Sequence, residues 1–298
     1  MAQEHRGIEN VDDLFWGDDV DTALADARAN VQLSQKSRRR RLDRHLRRAL
    51  AVPVEKRITT IERDLRRLRQ SERNDHHYLV YVNLPEYHGE IWAGANLVHR
   101  FRVVVGGKRR INSTPRITSK IHTVIFNPFW NVPRRIYQTE MKGAADKWIE
   151  EGNGTEPKDY WASKGYELKG RNPKTQWLRR PPGRGNPLGK VKFLFENRHA
   201  VFLHDTPSKK LFRKPRRAFS HGCIRVQHPV EFAEQLLRRD GSWDVAQSEG
   251  VMHHYRRTPI RLRRPVPLVL DYITTRVTED GHVMFLSDLY KLARPRRK

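Results

Sequence analysis

The 298-residue chain has a single cysteine, Cys223. No internal disulfide and no multi-cysteine metal site can hold the fold, so stability must come from packing. Long hydrophobic runs are missing too: the longest apolar stretches are strand-sized, such as YLVYV at 78–82, far short of the roughly 20 apolar residues of a membrane span. The first twenty residues carry acidic side chains and no continuous apolar stretch, so no secretory signal is visible and a soluble protein is expected. No internal repeat is evident. Acidic residues are scarce beside basic ones, 34 Asp plus Glu against 59 Lys plus Arg, for a net charge of +25. The chain does have 37% hydrophobic residues, enough at this length for a sizeable core.

Such an excess of positive charge attracts polyanions, and the two classes to weigh are nucleic acid and an anionic envelope surface. The densest runs are KSRRRRLDRHLRR at 36–48, RDLRRLRQ at 63–70 and the tail RPRRK. Leu42, Leu46 and Leu50 recur every fourth residue through the first, and Ile58, Ile61, Leu65 and Leu68 follow a three-and-four spacing through the second. Both patterns predict amphipathic helices with basic outer faces. No interleaved basic and aromatic module accompanies them, so nucleic acid is disfavoured, and charge alone supports a non-enzymatic envelope- or nucleic-acid-binding protein. His76, His77, His253 and His254 form adjacent pairs without helical ligand spacing, so no metal and no other cofactor is expected.

Periodicity changes along the chain. Residues 1–75 read as a helical N-terminal region, with candidate helices in VDTALADARANVQL, in the arginine-rich segment and in EKRITTIERDLRRLRQ. Across 76–298, short β-branched or aromatic runs take over, among them YLVYVNL, GEIWAG, LVHRFRVVVG, IHTVIF, VKFLFE and HAVFLH. Between 134 and 189, Gly and Pro break the pattern around a candidate helix at TEMKGAADKWIEE. That stretch reads as an irregular insertion suited to a lid. PVEFAEQLLRRDG predicts a helix with Pro229 in its first turn, Val230, Ala233 and Leu237 on one face and Gly241 as its stop. Near the end, Asp280 and Gly281 suit a tight hairpin. The expected class is α+β, a β-rich domain of mixed or antiparallel sheet with N-terminal helices and an inserted subdomain.

Cys223 lies in SHGCIRV at 220–226. A free thiol has a pKa of about 8.5, so a nucleophilic cysteine needs a neighbouring base or cation. His221 is two residues before it, and His204 ends the strand-like HAVFLH, from which its ring would project toward Cys223 on a neighbouring strand. One ring nitrogen would take the thiol proton while a nearby carbonyl or carboxylate held the other. Gly222 lets backbone approach a substrate, and the amides of Gly222 and Cys223 suit a developing oxyanion. Arg225 falls on the nucleophile's side of an extended segment, and its fork matches a carboxylate, which suggests an acidic substrate.

An upstream His followed about twenty residues later by Ser-His-Gly-Cys, an apolar residue and Arg resembles the signature of L,D-transpeptidases with a YkuD-type catalytic domain. VNLPEYHGEIW, FRVVVG, NPFWNVP at 127–133, NPLGKVKFLFENRHAVFLHDTP at 186–207 and EKRITTIERDLRRLRQ are similar to the larger Gram-negative members. The likeness spans 53–240, and the first 50 residues show no peptidoglycan-binding repeat. The order and spacing of His204, Cys223 and Arg225 argue against papain-like peptidases and sortases. The resemblance implies that Cys223 attacks a peptidoglycan stem peptide at its third residue, a diamino acid, expelling D-alanine and forming a thioester. His204 would be the base, oriented by Asp205 or its backbone, and His221, Gly222 and Cys223 would line the oxyanion site. Resolution by a second stem would give a 3→3 cross-link, by water an L,D-carboxypeptidase, and by a protein lysine an anchoring enzyme. It further implies a periplasmic or cell-envelope location, acylation of Cys223 by carbapenems, and a capping subdomain at 134–189. Trp130, Asn131 and Ser220 would join Arg225 in contacting substrate.

Overall fold

The computed structural model describes residues 52–70, 76–171, 176–241, 243, 247, 250–251, 254–278, 281 and 283–292. The two helices expected before residue 50 lie outside the described residues. Helix α1 (Val54–Gln70) is followed by strands β1 (Tyr78–Asn83), β2 (His88–Ala93), β3 (Asn96–Gly106), β4 (Ile117–Phe126) and β5 (Trp130–Asn131). Then come helices α2 (Lys142–Glu150) and α3 (Pro157–Ser163), and strands β6 (Glu167–Lys169), β7 (Trp177–Arg180), β8 (Val191–Phe195), β9 (Leu203–His204), β10 (Ala218–Ser220) and β11 (Ile224–Val226). Helix α4 (Pro229–Asp240) precedes β12 (Thr258–Asp271), β13 (Thr275–Val277) and β14 (Val283–Phe285). Two compact units result, one within 75–271 and the other drawn from the two ends of the chain, within 1–74 and 272–298.

The larger unit is built on a nine-stranded sheet in the order β10-β3-β11-β9-β8-β4-β12-β1-β2. Pairing of β2 with β3 closes it on itself. The sheet is mixed, as the sequence led us to expect: β1 with β12, β10 with β3 and β11 with β9 run parallel, and the others antiparallel. Alternation explains the strands locally. In VKFLF, Val191, Phe193 and Phe195 are buried while Lys192 and Leu194 are half-buried, the period of two that a pleated strand imposes. On the inner side, Phe193, Leu203, Ile224 and Val226 are fully buried, and α4 packs there through Phe232, whose ring centroid lies 4.7 Å from Phe193 and 4.8 Å from Phe101. Helix α4 begins at Pro229 and stops at Gly241 in the left-handed conformation. Its inward face is Phe232, Ala233, Leu236 and Leu237, whereas Val230, expected inside, is half-buried.

The insertion is more regular than its Gly and Pro content suggests. A short helix, Arg134–Ile136, runs through a π turn at Tyr137–Met141 into α2, and β5, β7 and β6 form a separate three-stranded sheet. Val132, Ala145, Trp161 and Leu178 make a core of their own. Around Trp161 the rings of Tyr160, Tyr166 and Tyr137 stand edge-on at 4.7, 5.5 and 6.2 Å.

In the smaller unit, the buried face of α1 is shifted from the expected one, keeping Ile61 and Leu68 half-buried. Ile58 and Leu65 are 51% and 45% exposed, while Arg57 and Asp64 are buried. The cause is a polar anchor: Asp64 accepts hydrogen bonds from the Thr274 amide (2.7 Å) and hydroxyl (2.9 Å) and ion-pairs with Arg63 at 3.0 Å. A buried carboxylate must face its donors, and that requirement rotates the inward face toward Arg57 and Asp64 and away from Ile58 and Leu65. The hairpin β13–β14 forms where Gly281 suggested one. Among the described residues no helix is long and apolar enough to cross a membrane.

Candidate active site

The outer face of the sheet is where the sequence-selected residues meet. Register pairs Lys192 on β8 with His204 on β9, and His204 with Arg225 on β11, so the three side chains stand side by side on the face opposite α4. Cys223 enters β11 one residue before the buried Ile224, which puts it on Arg225's side of the strand. Phe202 shares the face, its ring centroid 5.5 Å from that of His204. The strand expected over HAVFLH is only Leu203–His204. Before it, Asn197 ties up the chain, its Oδ1 accepting from the His199 and Val201 amides at 3.0 Å each, with Ala200 at φ 53°.

His204 is buried, and its Nδ1 donates to the carbonyl oxygen of Asp205. That bond fixes the tautomer and leaves Nε2 as the acceptor. Burial, helped by the charges of Arg225 and Lys192, depresses the imidazole to a pKa of about 3, so the ring is neutral at physiological pH. Burial also pushes the Cys223 thiol above its ordinary range, against the pull of a hydrogen bond from Phe202's backbone and of Lys192 and Arg225. The thiol approaches the Ala200 carbonyl oxygen at 3.9 Å. Thiol and imidazole are therefore both neutral at rest. The carboxylate of Asp205 is occupied elsewhere, accepting from the Lys190 amide (2.8 Å) and the Thr206 amide (2.6 Å) and pairing with Lys209. A Cβ at Gly189 would lie 2.2 Å from that carboxylate, so this approach requires glycine. Of the two orienting groups allowed by the sequence, the backbone is the one in contact.

The SHGC turn is internally braced. Gly222 sits at φ 123°, a conformation that strains any side chain. Its amide donates to Ser220 Oγ at 3.2 Å, Ser220 Oγ donates to the Cys223 carbonyl at 2.5 Å, and Thr114 Oγ1 donates to the Gly222 carbonyl at 2.8 Å. The buried Ser220 hydroxyl, expected to meet substrate, is thus used within the turn. Of the two amides offered for an oxyanion, that of Gly222 is engaged, which leaves the Cys223 amide. Trp130 packs on the insertion's core, and Asn131 accepts from Arg179 Nε at 3.1 Å. The structure places both in the insertion's sheet.

His221 points toward the insertion, where its Nε2 meets Glu140 Oε1 at 2.5 Å. Arg135 of the same segment donates to Asn112 Oδ1 at 2.8 Å. These contacts tie the insertion to the SHGC turn and to the β3–β4 connection. Exposed pairs contribute about 0.2–1 kcal/mol. Glu140→Gln should therefore speed hydrogen exchange of amides in 137–150 by a factor of at most about 5. Unaltered exchange would show that the contact does not hold the insertion.

Sequence reasoning passed over Lys192, Thr114, Glu140 and Phe202. Only Lys192 left a trace, as a lysine in an otherwise apolar strand. Chemically, the arrangement permits a thiol to attack an electrophilic carbon while a neutral imidazole removes its proton, with positive charge on both sides of the imidazole. Residues 77–261 match YkuD, the L,D-transpeptidase catalytic domain, and the chain belongs to that family. A curated Haemophilus influenzae protein described as "Putative L,D-transpeptidase" is 32% identical over a 229-residue alignment that covers 72% of this chain and 45% of that protein. The chain thus spans about half the length of this relative. Solved structures similar to it include an L,D-transpeptidase from Mycobacterium smegmatis (11% identity, 65% of this chain and 58% of that one, TM-score 0.33). Another is L,D-transpeptidase 3 from Mycobacterium tuberculosis in complex with a faropenem-derived adduct (8% identity, 65% and 60%, TM-score 0.30).

Proposed function

We propose that the protein is a cysteine-dependent L,D-transpeptidase that cross-links peptidoglycan stem peptides in the cell envelope. The observation that carries this reading is the neutral, tautomer-fixed His204 on the same sheet face as the chain's one thiol. Sγ of Cys223 attacks the carbonyl carbon of the third stem residue as His204 Nε2 takes the thiol proton. The Cys223 amide donates to the oxyanion. Collapse breaks the bond to the terminal D-alanine, whose nitrogen receives the proton back from His204, and a thioester remains. The side-chain amine of a second stem's diamino acid then displaces Cys223, giving a 3→3 cross-link. Water or a protein lysine as acceptor would make the same centre an L,D-carboxypeptidase or an anchoring enzyme. Net charge of +25 favours contact with an anionic envelope surface.

Digestion of sacculi after incubation with the protein, followed by muropeptide identification, tests this. The expected product is a dimer linked through two diamino acids, with free D-alanine released in equal amount. Tripeptides without such dimers would assign water as the acceptor, and unchanged muropeptides would reject the function.

A further inference from the structure

Lys192 and Arg225 are two half-buried cations that meet no anion among the described residues. The Lys192 ammonium lies 3.7 Å from the Phe202 ring centroid and has no ion pair or hydrogen bond among the described residues. Arg225 Nε is buried with no acceptor among the described residues. Elsewhere the protein provides for such groups: Arg116 meets Asp271 at 2.8 Å, and Arg217 donates to the carbonyls of Val103, Lys214 and Tyr87. Burying a cation with no partner is costly, so a pair of them flanking one histidine implies an anion supplied from outside. Arg257 adds a further positive charge near Lys192. Strands β8 and β11 lie two positions apart across β9, roughly 10 Å between backbones, a gap that a long Lys and a long Arg side chain can close on one carboxylate beside His204.

We propose that Lys192 and Arg225 together receive the terminal carboxylate of the donor peptide's leaving residue, and that this pairing completes His204 as the base. The inference rests on the donor assignment made above. In that donor, only the amide nitrogen and one carbon separate the carboxylate from the carbonyl under attack, so a group that seats it also aligns the scissile bond. The same carboxylate offsets the two positive charges that weaken His204 as a proton acceptor. His204 gains basicity when a correct donor is bound. One proton moves, from Sγ to Nε2 as the carbon–sulfur bond forms, and nothing is oxidised or reduced. Lys192 thereby becomes a specificity-determining residue that charge patterning alone would assign to solvent.

The test uses single-turnover acylation of the full chain, followed by intact mass, with three disaccharide-tetrapeptide donors. One has a free terminal carboxylate, one a terminal carboxamide, and one a free terminus with the diamino acid's side-chain carboxylate amidated. Wild type should acylate with the terminal amide roughly 10- to 100-fold more slowly than with the free acid, the range set by loss of a charge-assisted bond. The side-chain amide should react within about 2-fold of the free acid, well inside that range. Lys192→Met should shrink the free-acid advantage over the terminal amide to about 2-fold or less, and Lys192→Arg should recover part of the difference. Equal rates for free acid and terminal amide in wild type would overturn the proposal, as would an equal loss on both donors in Lys192→Met or a dominant effect of the side-chain amide. No acyl-enzyme from any donor, with carbapenem still acylating Cys223, would overturn the donor assignment itself.

Discussion

Incubated with a carbapenem, the wild-type chain is expected to gain the mass of one ring-opened inhibitor, and Cys223→Ala to gain none. Because Cys223 is the chain's one thiol, any thioester must sit there. An identical adduct on Cys223→Ala would end the nucleophile assignment. The substitution should also lower 3→3 cross-linking by about 10⁴-fold or more, since removing a nucleophile leaves only binding and oxyanion stabilisation. The structure adds a condition on reactivity. Burial raises the thiol and depresses His204, so the resting pair is neutral and no thiolate–imidazolium pair is stored. Alkylation of Cys223 by iodoacetamide should therefore keep rising with pH through the ordinary thiol range, without a plateau at acid pH. A rate that is flat from pH 5 upward would reveal a stored thiolate and overturn this account. The carbapenem carries its own electrophilic strain and should acylate near neutrality despite the low thiolate fraction.

Parts of this centre were legible in the sequence because they are local. The seven residues SHGCIRV carry the cysteine, turn glycine and arginine within one short loop and strand, and the alternation in VKFLF marks β8 without reference to anything distant. What was not legible depends on register and on hydrogen bonds made across space. Lys192 reads as a solvated strand lysine until the pairing of β8 with β9 sets it beside His204. Asp205 reads as the natural partner of an adjacent histidine, yet a backbone carbonyl does that work while the carboxylate braces Lys190, Thr206 and Lys209. Ser220 follows the same logic, since nothing in its neighbours says that its hydroxyl closes a turn. Helix α1 fails differently. Its three-and-four spacing of Ile and Leu is genuine, but Asp64 has fixed donors at Thr274, a relation about 200 residues away in the chain that no periodicity encodes. The insertion misled through composition: its glycines and prolines mark turns, while its stability comes from Trp161 and the tyrosines packed around it.

His204→Ala is expected to lower turnover on the tetrapeptide donor by about 10²- to 10⁴-fold, the range for loss of a positioned acid–base group, and to change how stability depends on pH. The sign follows from the folded pKa. An unfolded histidine takes up a proton below its ordinary value of 6.5, whereas His204 in the folded protein does so only near about 3. Between these values the unfolded state binds the extra proton, so His204 makes stability fall as pH falls, by roughly 1.4 kcal/mol per pH unit at most. Above 6.5 both states are neutral there and the contribution is flat. His88 and His99, also depressed by burial, add slope of the same sign in wild type and variant alike and cancel in the comparison. Urea unfolding at pH 7, 5.5 and 4 should thus show a smaller loss of stability on acidification for His204→Ala than for wild type, whatever the variant loses at neutral pH from the missing ring. Equal slopes would mean that His204 titrates normally. The kinetic side separates the two histidines: His221→Ala, which removes only the tie to Glu140, should keep most of the turnover, and a loss there with His204→Ala unimpaired would transfer the base role to His221. Because protonation of His204 is suppressed by burial and by the two flanking cations, activity in acid should persist well below pH 6.5. The limit there is set by the neutral imidazole's weakness as an acceptor, which is the weakness that a bound carboxylate between Lys192 and Arg225 would relieve.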